Sequence, residues 1–366
     1  MKILLLLLIV LHGLIHFIGF ARFWNIFELK GFMGYTLFVI PGYAHKPLGL
    51  LWLACMLLFL LAATRIVSGN YWWALAILAI LISQTLIIIS WKDAKAGTLA
   101  NLVILILAVI NFADWTFNRF VQSEIREIIN KENPAASRTI TAASIKELPE
   151  CVQTWLIVSG AVGRKIKTVC LKQKGKMRTS LTGRWMPADA EQFFNIDDPA
   201  FIWKVKVSMN AVIWYSGRDE FKNGLGSMLI KLFSLIPIVN SSGRKIDQGS
   251  LLRFMGEMCW FPSAAVSPYI KWESISRNSA KATMCVGSTE ASGIFRFDSN
   301  GNVLAFSAKR YMANGNSATL EDWYVPCNEW RVLDGFKIPV KGEVIWSLKS
   351  GNFSYYKWEI TEISYH

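Results

Sequence analysis

Residues 3–21 of the chain read ILLLLLIVLHGLIHFIGFA, an apolar run that carries no charge and contains only two histidines, His12 and His16. A helix that crosses a membrane needs about 20 mainly apolar residues. Three later stretches also have this length and composition, namely residues 48–64, 71–91 and 98–115. The sequence therefore predicts a transmembrane region of four helices.

Composition changes close to Trp115. The chain has 366 residues, of which 53% are hydrophobic, and the excess lies in its first third. Up to Trp115 the chain has seven Lys and Arg and three Asp and Glu, and beyond it 32 Lys and Arg and 23 Asp and Glu. We expect a four-span domain over residues 1–115, a juxtamembrane amphipathic helix and linker over 116–143, and a soluble domain over 144–366. A basic domain tethered to a bilayer favours anionic lipid head groups as partners. Nucleic acid is not expected, because the basic residues form no run and no known reading motif.

The segment between the first two spans is unusual. Residues 32–43 are apolar and aromatic but too short to cross a membrane, and glycine and proline interrupt them. We interpret them as an interfacial or re-entrant segment.

Loop charges leave the orientation of the spans open. The loops after the first and third spans carry Arg22, Lys30, Lys46, Lys92 and Lys95. The other side carries Lys2, Arg65 and Arg119, which favours an extracytoplasmic C-terminal domain under the positive-inside rule. Including Arg126 and Lys131 makes the two sides equal. A bacterial inner membrane, with the large domain outside the cytoplasm, is the location that we expect.

His12 and His16 lie one turn apart on the first predicted helix. Intramembrane ionisable groups are candidates for function, and this spacing suits two imidazoles that share a metal. Zinc or copper would need a further ligand. The alternative is that both rings form hydrogen bonds across helices, with Ser83, Gln84, Thr85 and Asn101 as available partners. We favour this alternative and expect no cofactor.

The soluble region reads mainly as β-structure. A helix is predicted over residues 144–159, and two more over 228–239 and 247–261, with Asp247 as a cap. Alternating β-branched and aromatic residues predict strands over residues 165–173, 176–186, 201–209, 280–286, 292–297, 303–311, 321–325, 343–348 and 355–365. Residues 298–301, DSNG, predict a hairpin turn. The fold class is therefore α+β, a curved antiparallel sheet with helices inserted midway.

Aromatic residues suggest a binding function. Bulky aromatics on the concave side of a curved sheet line apolar cavities, although aromatics more often form the core. The candidates for ligand binding are Trp185, Trp203, Trp214 and Trp260, with Arg184, Lys204 and Lys206 as head-group contacts.

Catalytic motifs are missing from the sequence. It has no nucleophile elbow, phosphate loop or metalloprotease motif. The alternative is an enzyme that uses Asp247, Arg253 and Glu257, but Arg253 and Glu257 have the spacing of a helical ion pair.

Several short motifs from about Leu148 onwards carry a family resemblance. They are SGAVG (159–163), QKG (173–175), WMP (185–187), DQG (247–249), SAA (263–265), SPYIKW (267–272), AKRY (308–311) and EITEI (359–363). With these motifs the chain resembles an uncharacterised bacterial family, a domain of unknown function with membrane-anchored members. The order of elements is also similar to the half-barrel of lipoprotein carriers of the LolA type. This second resemblance implies a cavity that binds a lipid or a lipoprotein acyl chain.

Two other functions stay open. One is the enzyme described above, and the other is a helix bundle that holds a metal or quinone at His12 and His16 under the control of the soluble domain. The oligomeric state and the pairing of the six cysteines are not determined by the sequence.

Overall fold

The computed structural model describes residues 2–26, 36–69, 71–131, 139–314 and 317–366. It divides into two compact units, residues 1–117 and 118–366. Residues 32–35 of the predicted re-entrant segment and residues 132–138 of the predicted linker lie outside the described residues.

The first unit is helical. Its helices are α1 (Lys2–Phe23), α2 (Gly42–Ser68), α3 (Trp72–Ile89), α4 (Trp91–Ala94) and α5 (Gly97–Asn130), the last of which continues into the second unit. All of them except α4 are long and apolar enough to cross a membrane. The helices α2 and α5 extend beyond the predicted spans, since helical hydrogen bonding does not require apolar side chains.

The predicted juxtamembrane helix is part of α5. The sequence between Trp115 and Asn130 contains no glycine or proline that would interrupt a helix. Apolar residues at helical spacing, Val121, Ile125 and Ile128, are buried. Residues 118–130 are therefore a structural part of the second unit.

Among its described residues, the second unit contains the C-terminal part of α5, two further α-helices, α6 (Glu150–Val158) and α7 (Arg244–Glu257), and 13 strands. The strands are β1 (Thr168–Met177), β2 (Met186–Asn195), β3 (Ala200–Ser208), β4 (Trp214–Lys222), β5 (Leu225–Leu232), β6 (Ile236–Ser242), β7 (Ile270–Ser276), β8 (Ser279–Val286), β9 (Thr289–Phe297), β10 (Val303–Asn314), β11 (Ser317–Leu333), β12 (Phe336–Leu348) and β13 (Gly351–Tyr365). Two short 3-10 helices, Met258–Trp260 and Pro262–Val266, follow α7.

The strands form one antiparallel sheet in the order β6-β5-β4-β3-β2-β1-β13-β12-β11-β10-β9-β8-β7. The sheet curls, because α7 contacts β4, β5 and β6 near one edge and also β8, β9 and β10 near the other. At one point the two halves meet, where the hydroxyl of Thr289 donates to the carbonyl oxygen of Gly224 at 2.7 Å. The predicted fold class, a curved half-barrel with inserted helices, is confirmed.

The inside of the curl is a packed aromatic core. Phe254 of α7 lies between Phe194 of β2 and Phe221 of β4, and Phe261 packs on Phe194 with ring centroids 4.5 Å apart. All four rings are fully buried, so α7 is fixed against the sheet mainly by apolar burial.

Two predicted elements are wrong, and a third was predicted longer than it is. Residues 228–239 form the hairpin of β5 and β6 rather than a helix, because β-branched residues such as Ile236 and Ile238 favour strands and Pro237 is tolerated on the edge strand β6. The predicted strand at 176–186 is mostly the connection between β1 and β2. The predicted helix at 144–159 is confined to α6, with turns over residues 142–147.

Candidate functional site

The C-terminal part of α5 lies along β4, and the contacts between them show in which direction the strand runs relative to the helix. Glu124 is 3.1 Å from Nε of Arg218, and Glu127 is 2.8 Å from Nζ of Lys222. Since the partners advance together along the chain, α5 and β4 run in the same direction. Trp214, the first residue of β4, therefore lies at the end of the domain where residue 118 of α5 lies.

Four strand connections lie side by side at this end, and we call them the loop edge. They are residues 349–350 (β12–β13), 178–185 (β1–β2), 209–213 (β3–β4) and 233–235 (β5–β6). They are joined by hydrogen bonds from Arg178 N to the carbonyl oxygen of Tyr355, from the guanidinium of Arg184 to that of Met209, and from Phe233 N to that of Trp214. The loop edge is thus one continuous surface.

Apolar side chains are exposed on the loop edge. Leu181, Val212 and Leu235 are 49%, 56% and 42% exposed, and Ile236 and Ile238 on the adjoining edge strand are about half exposed. Large exposed apolar patches on folded domains mark sites of interaction with protein, lipid or ligand.

The charge of the loop edge has one sign. The four connections contain Arg178, Arg184 and Lys349 and no Asp or Glu. Lys206 and Lys231 lie on the adjoining strand ends. Lys206 is one of the three predicted head-group contacts. Of the other two, Arg184 lies on the loop edge, whereas Lys204 is paired with Glu191 at 3.7 Å.

Two of the four predicted ligand-binding tryptophans lie at the loop edge. The guanidinium of Arg178 is 4.6 Å from the ring centroid of Trp185, and Lys357 covers the same ring at 5.1 Å. The ammonium of Lys206 lies 4.4 Å from the ring centroid of Trp214. The indole N–H of Trp214 is buried and has no hydrogen-bond partner among the described residues.

The other two tryptophans, Trp203 and Trp260, are buried in the core. The indole N–H of Trp203 donates to Gln173 at 3.2 Å, and that of Trp260 donates to the carbonyl oxygen of Pro339 at 3.1 Å. The four tryptophans therefore do not converge on one point, and two of them already have internal partners.

The predicted Asp247, Arg253 and Glu257 cluster is only partly assembled. Arg253 donates from Nε to Glu257 at 2.8 Å and from a terminal nitrogen to Asp219 of β4 at 2.7 Å. Gln192 of β2 donates to the second oxygen of Glu257 at 2.7 Å. Although burial lowers it, the pKa of Arg253 is held above its ordinary value by the two carboxylates. The group therefore joins α7 to β2 and β4 as a buried, charged network.

Asp247 has a different partner. Its carboxylate accepts a hydrogen bond from the backbone N–H of Gly226 in β5 at 2.7 Å. It does not cap α7, which begins earlier, at Arg244. Asp219 and Gln192 could not be found from local spacing, because they reach Arg253 only through the pairing of distant strands.

In the helical unit, His12 and His16 belong to a hydrogen-bonded network. Nε2 of His12 donates to the amide oxygen of Asn101 at 2.8 Å, and Nδ1 of His16 donates to the backbone oxygen of His12 at 2.7 Å. Nε2 of His16 lies 2.8 Å from the hydroxyl of Ser83, and Asn101 donates to both Ser83 and Gln84. The predicted cross-helix hydrogen bonds are confirmed.

Few nitrogen atoms of this network are available to coordinate a metal ion. Both nitrogens of His16 are occupied when Ser83 donates to Nε2. Within the described part of the chain, no group of three or more His, Cys, Asp or Glu side chains is arranged to hold a metal ion.

The chain belongs to the family described as "Family of unknown function (DUF6544)", whose sequence profile matches residues 138–358. The family predicted from the sequence is confirmed. No curated protein is significantly similar to the chain in sequence.

Two solved structures are similar to the chain in fold. The first is a DUF1329 family protein from Desulfovibrio piger, which is 8% identical with a TM-score of 0.35 and covers 62% of this chain and 94% of its own. The second is a putative outer membrane lipoprotein-sorting protein domain from Vibrio parahaemolyticus, which is 7% identical with a TM-score of 0.32 and covers 55% of this chain and 86% of its own.

Proposed function

We propose that this is a membrane-anchored protein whose sheet domain binds the acyl chain of a lipid or lipoprotein at the loop edge. The observation that carries the proposal is the combination, on one continuous surface, of exposed Leu181, Val212 and Leu235 with cations and no carboxylate. Such a surface suits an acyl chain next to an anionic head group. The charges would attract the head group, and the apolar side chains would contact the chain.

Trp185 and Trp214 would form the polar border of this site. Each ring already lies beneath a cationic side chain, and amphipathic rings prefer the boundary between lipid and water. The unpaired indole N–H of Trp214 could donate to a phosphate or ester oxygen. Trp203 and Trp260 would contribute only as part of the wall behind them.

We further propose that the four helices lie in a bacterial inner membrane with the sheet domain outside the cytoplasm. The tie in the loop charges depended on Arg126 and Lys131. Both belong to the end of α5 or follow it directly, and Lys131 is paired with Asp198 of the sheet domain at 2.5 Å. Residues of a folded domain have little weight in the positive-inside rule, and the remaining short-loop charges favour this orientation.

Photo-crosslinking in the full-length protein tests the lipid site. The photoreactive residue p-benzoylphenylalanine replaces Leu235 at the loop edge, or Leu225 at the opposite end of β5 as a control that is also exposed. In nanodiscs that contain phosphatidylglycerol, we expect lipid adducts at position 235 and few at position 225. Equal labelling at both positions would contradict the proposal.

A reporter fused to the C-terminus tests the orientation. Alkaline phosphatase is active outside the cytoplasm and green fluorescent protein is fluorescent inside it. Phosphatase activity is expected; fluorescence would place the domain in the cytoplasm and rule out an extracytoplasmic carrier.

A further inference from the structure

The helical unit contains a cavity of about 250 Å³ beside the histidine network. The cavity is lined by His12 and His16 of α1, Trp52 of α2, and Ser90 at the end of α3. The ion pair of Arg22 and Asp93, 3.7 Å apart, also lines it, and the other lining residues are apolar. Its volume is just below the usual range for sites of small molecules, so it suits a compact group.

Two residues that line this cavity each carry a buried polar atom without a hydrogen-bond partner among the described residues. The indole N–H of Trp52 and the hydroxyl of Ser90 are buried, and neither forms a hydrogen bond with any described residue. The two residues are only 6% and 3% exposed. Buried polar groups are nearly always satisfied, and two unsatisfied groups around one cavity indicate a missing hydrogen-bonding partner.

The chemistry of the unpaired groups restricts the occupant. An indole N–H can only donate, and a serine hydroxyl can donate as well as accept. The occupant must therefore present an acceptor oxygen, while the mostly apolar lining favours an otherwise apolar body. A metal ion fits poorly, since it could not accept from Trp52 and Nδ1 of His16 already donates to a carbonyl oxygen.

The position of Trp52 is set by its neighbours. A methyl group added at Gly19 of α1 would come within 2.3 Å of the indole ring, so only glycine lets the ring lie this close to α1. The ring of His16 lies 5.3 Å from that of Trp52, between centroids. The indole ring of Trp52 is therefore held in place by close packing.

We infer that this cavity binds a compact apolar molecule through a carbonyl oxygen, which accepts from Trp52 Nε1 and from the hydroxyl of Ser90. A quinone and the ester group of a glycerolipid both offer this chemistry. The site lies within the helical unit and does not depend on the lipid site proposed for the loop edge.

Thermal unfolding of the full-length protein in detergent tests this inference with three probes. Decylubiquinone and dioctanoylglycerol carry carbonyl oxygens, and decylbenzene is an apolar control without any. At least one of the carbonyl probes is expected to raise Tm in a saturable manner, and the one that binds identifies the source. The inference is overturned if neither exceeds decylbenzene.

Variants locate the binding. Trp52→Phe and Ser90→Ala each remove one unpaired polar group and keep most of the packing. Each is expected to weaken binding of the carbonyl probe by about five- to tenfold. Ala100→Phe fills the cavity and is expected to abolish the shift, whereas Leu99→Phe, at a position 68% exposed on the same helix, retains it. Should Ala100→Phe fail to fold, an unchanged affinity in both Trp52→Phe and Ser90→Ala still refutes the assignment.

Discussion

Both ends of the sheet domain contain tight turns with positive φ, but different residues form them. At the end opposite the loop edge, the β4–β5 turn is Asn223-Gly224 and the β11–β12 turn is Asp334-Gly335. All four residues have positive φ, between 47° and 80°. Asn or Asp followed by Gly is the sequence that such tight hairpin turns favour, so local sequence and local structure agree there.

At the loop edge, the β5–β6 turn has Phe233 and Ser234 with φ of 54° and 59°. Neither residue is suited to this region, and a bulky residue with positive φ is a true outlier. The turn is held by tertiary contacts: the ring of Phe233 packs on Trp214 with centroids 5.0 Å apart, and the hydroxyls of Ser234 and Ser216 are 2.7 Å apart. Strain of this kind concentrates at functional sites, which supports the lipid site proposed for the loop edge. We call the opposite end, where the turns follow from local sequence, the folding end.

The largest effect is expected for Gly224→Ala at the folding end. Its φ is 80°, and the added methyl would lie 2.3 Å from the carbonyl oxygen of Val286. Because this oxygen is backbone on the other half of the curl, it cannot move freely. We expect a loss of about 2–3 kcal/mol in the free energy of unfolding, measured by thermal unfolding of the full-length protein.

Gly335→Ala is the matched control for this change. Its φ is also 80°, but the nearest atoms belong to the guanidinium of Arg164, which is the flexible end of a long side chain. A loss of only about 1 kcal/mol is expected. If both variants lose the same stability, the close contact of Gly224 with the other half of the sheet adds nothing to the destabilisation.

Asp298 gives a pH-dependent test of the same end. Its carboxylate accepts hydrogen bonds from Asn300 N at 2.9 Å and from Asn302 N at 2.8 Å. Burial alone raises its pKa, but hydrogen bonds from Asn302 and Asn300 outweigh this and hold the pKa below the ordinary value. The stabilisation is therefore complete above the unfolded pKa of about 3.9 and is lost as the pH falls through the lower folded value.

Asp298→Ala is accordingly expected to lose about 1–2 kcal/mol at pH 7. This difference from the wild type should shrink below about pH 4, as followed by Tm over a pH series. A difference that is constant from pH 7 to pH 3 would show that the charge of the carboxylate plays no part.

At the loop edge, Leu235→Asp should change lipid binding more than stability. The substitution places a negative charge on a surface whose connections carry only cations, and removes an exposed apolar contact. We expect the apparent affinity for lipid to fall by about tenfold, as measured in native mass spectrometry by the fraction of protein that retains lipid. Leu225→Asp, at the other end of β5, should retain lipid; loss in both would remove the distinction between the ends.

The smallest effect on stability is expected for Phe233→Asn. Asparagine tolerates positive φ, and the relief offsets the aromatic contact that is lost with Trp214, worth about 0.5–1.5 kcal/mol. Stability should therefore change by less than about 1 kcal/mol while lipid retention decreases. A large loss of stability with unchanged lipid retention would mean that Phe233 serves the fold alone.

The sequence by itself determined the elements whose signals are local. Four apolar runs predicted the four long helices, since length and hydropathy are read directly from consecutive residues. The DSNG turn at 298–301, the α+β class and the family were also predicted correctly. The partners of His12 and His16 were found because polar side chains are few within apolar helices, and so they have few possible partners.

Only the tertiary structure decided what depends on distant residues. The hairpin of β5 and β6 was predicted as a helix, because an apolar run without alternation fits both states until a neighbouring strand pairs with it. Asp219 joined Arg253 only through the position of β4 beside α7. The loop edge is likewise assembled from four connections that are far apart in sequence, and pairing of the strands alone brings them together.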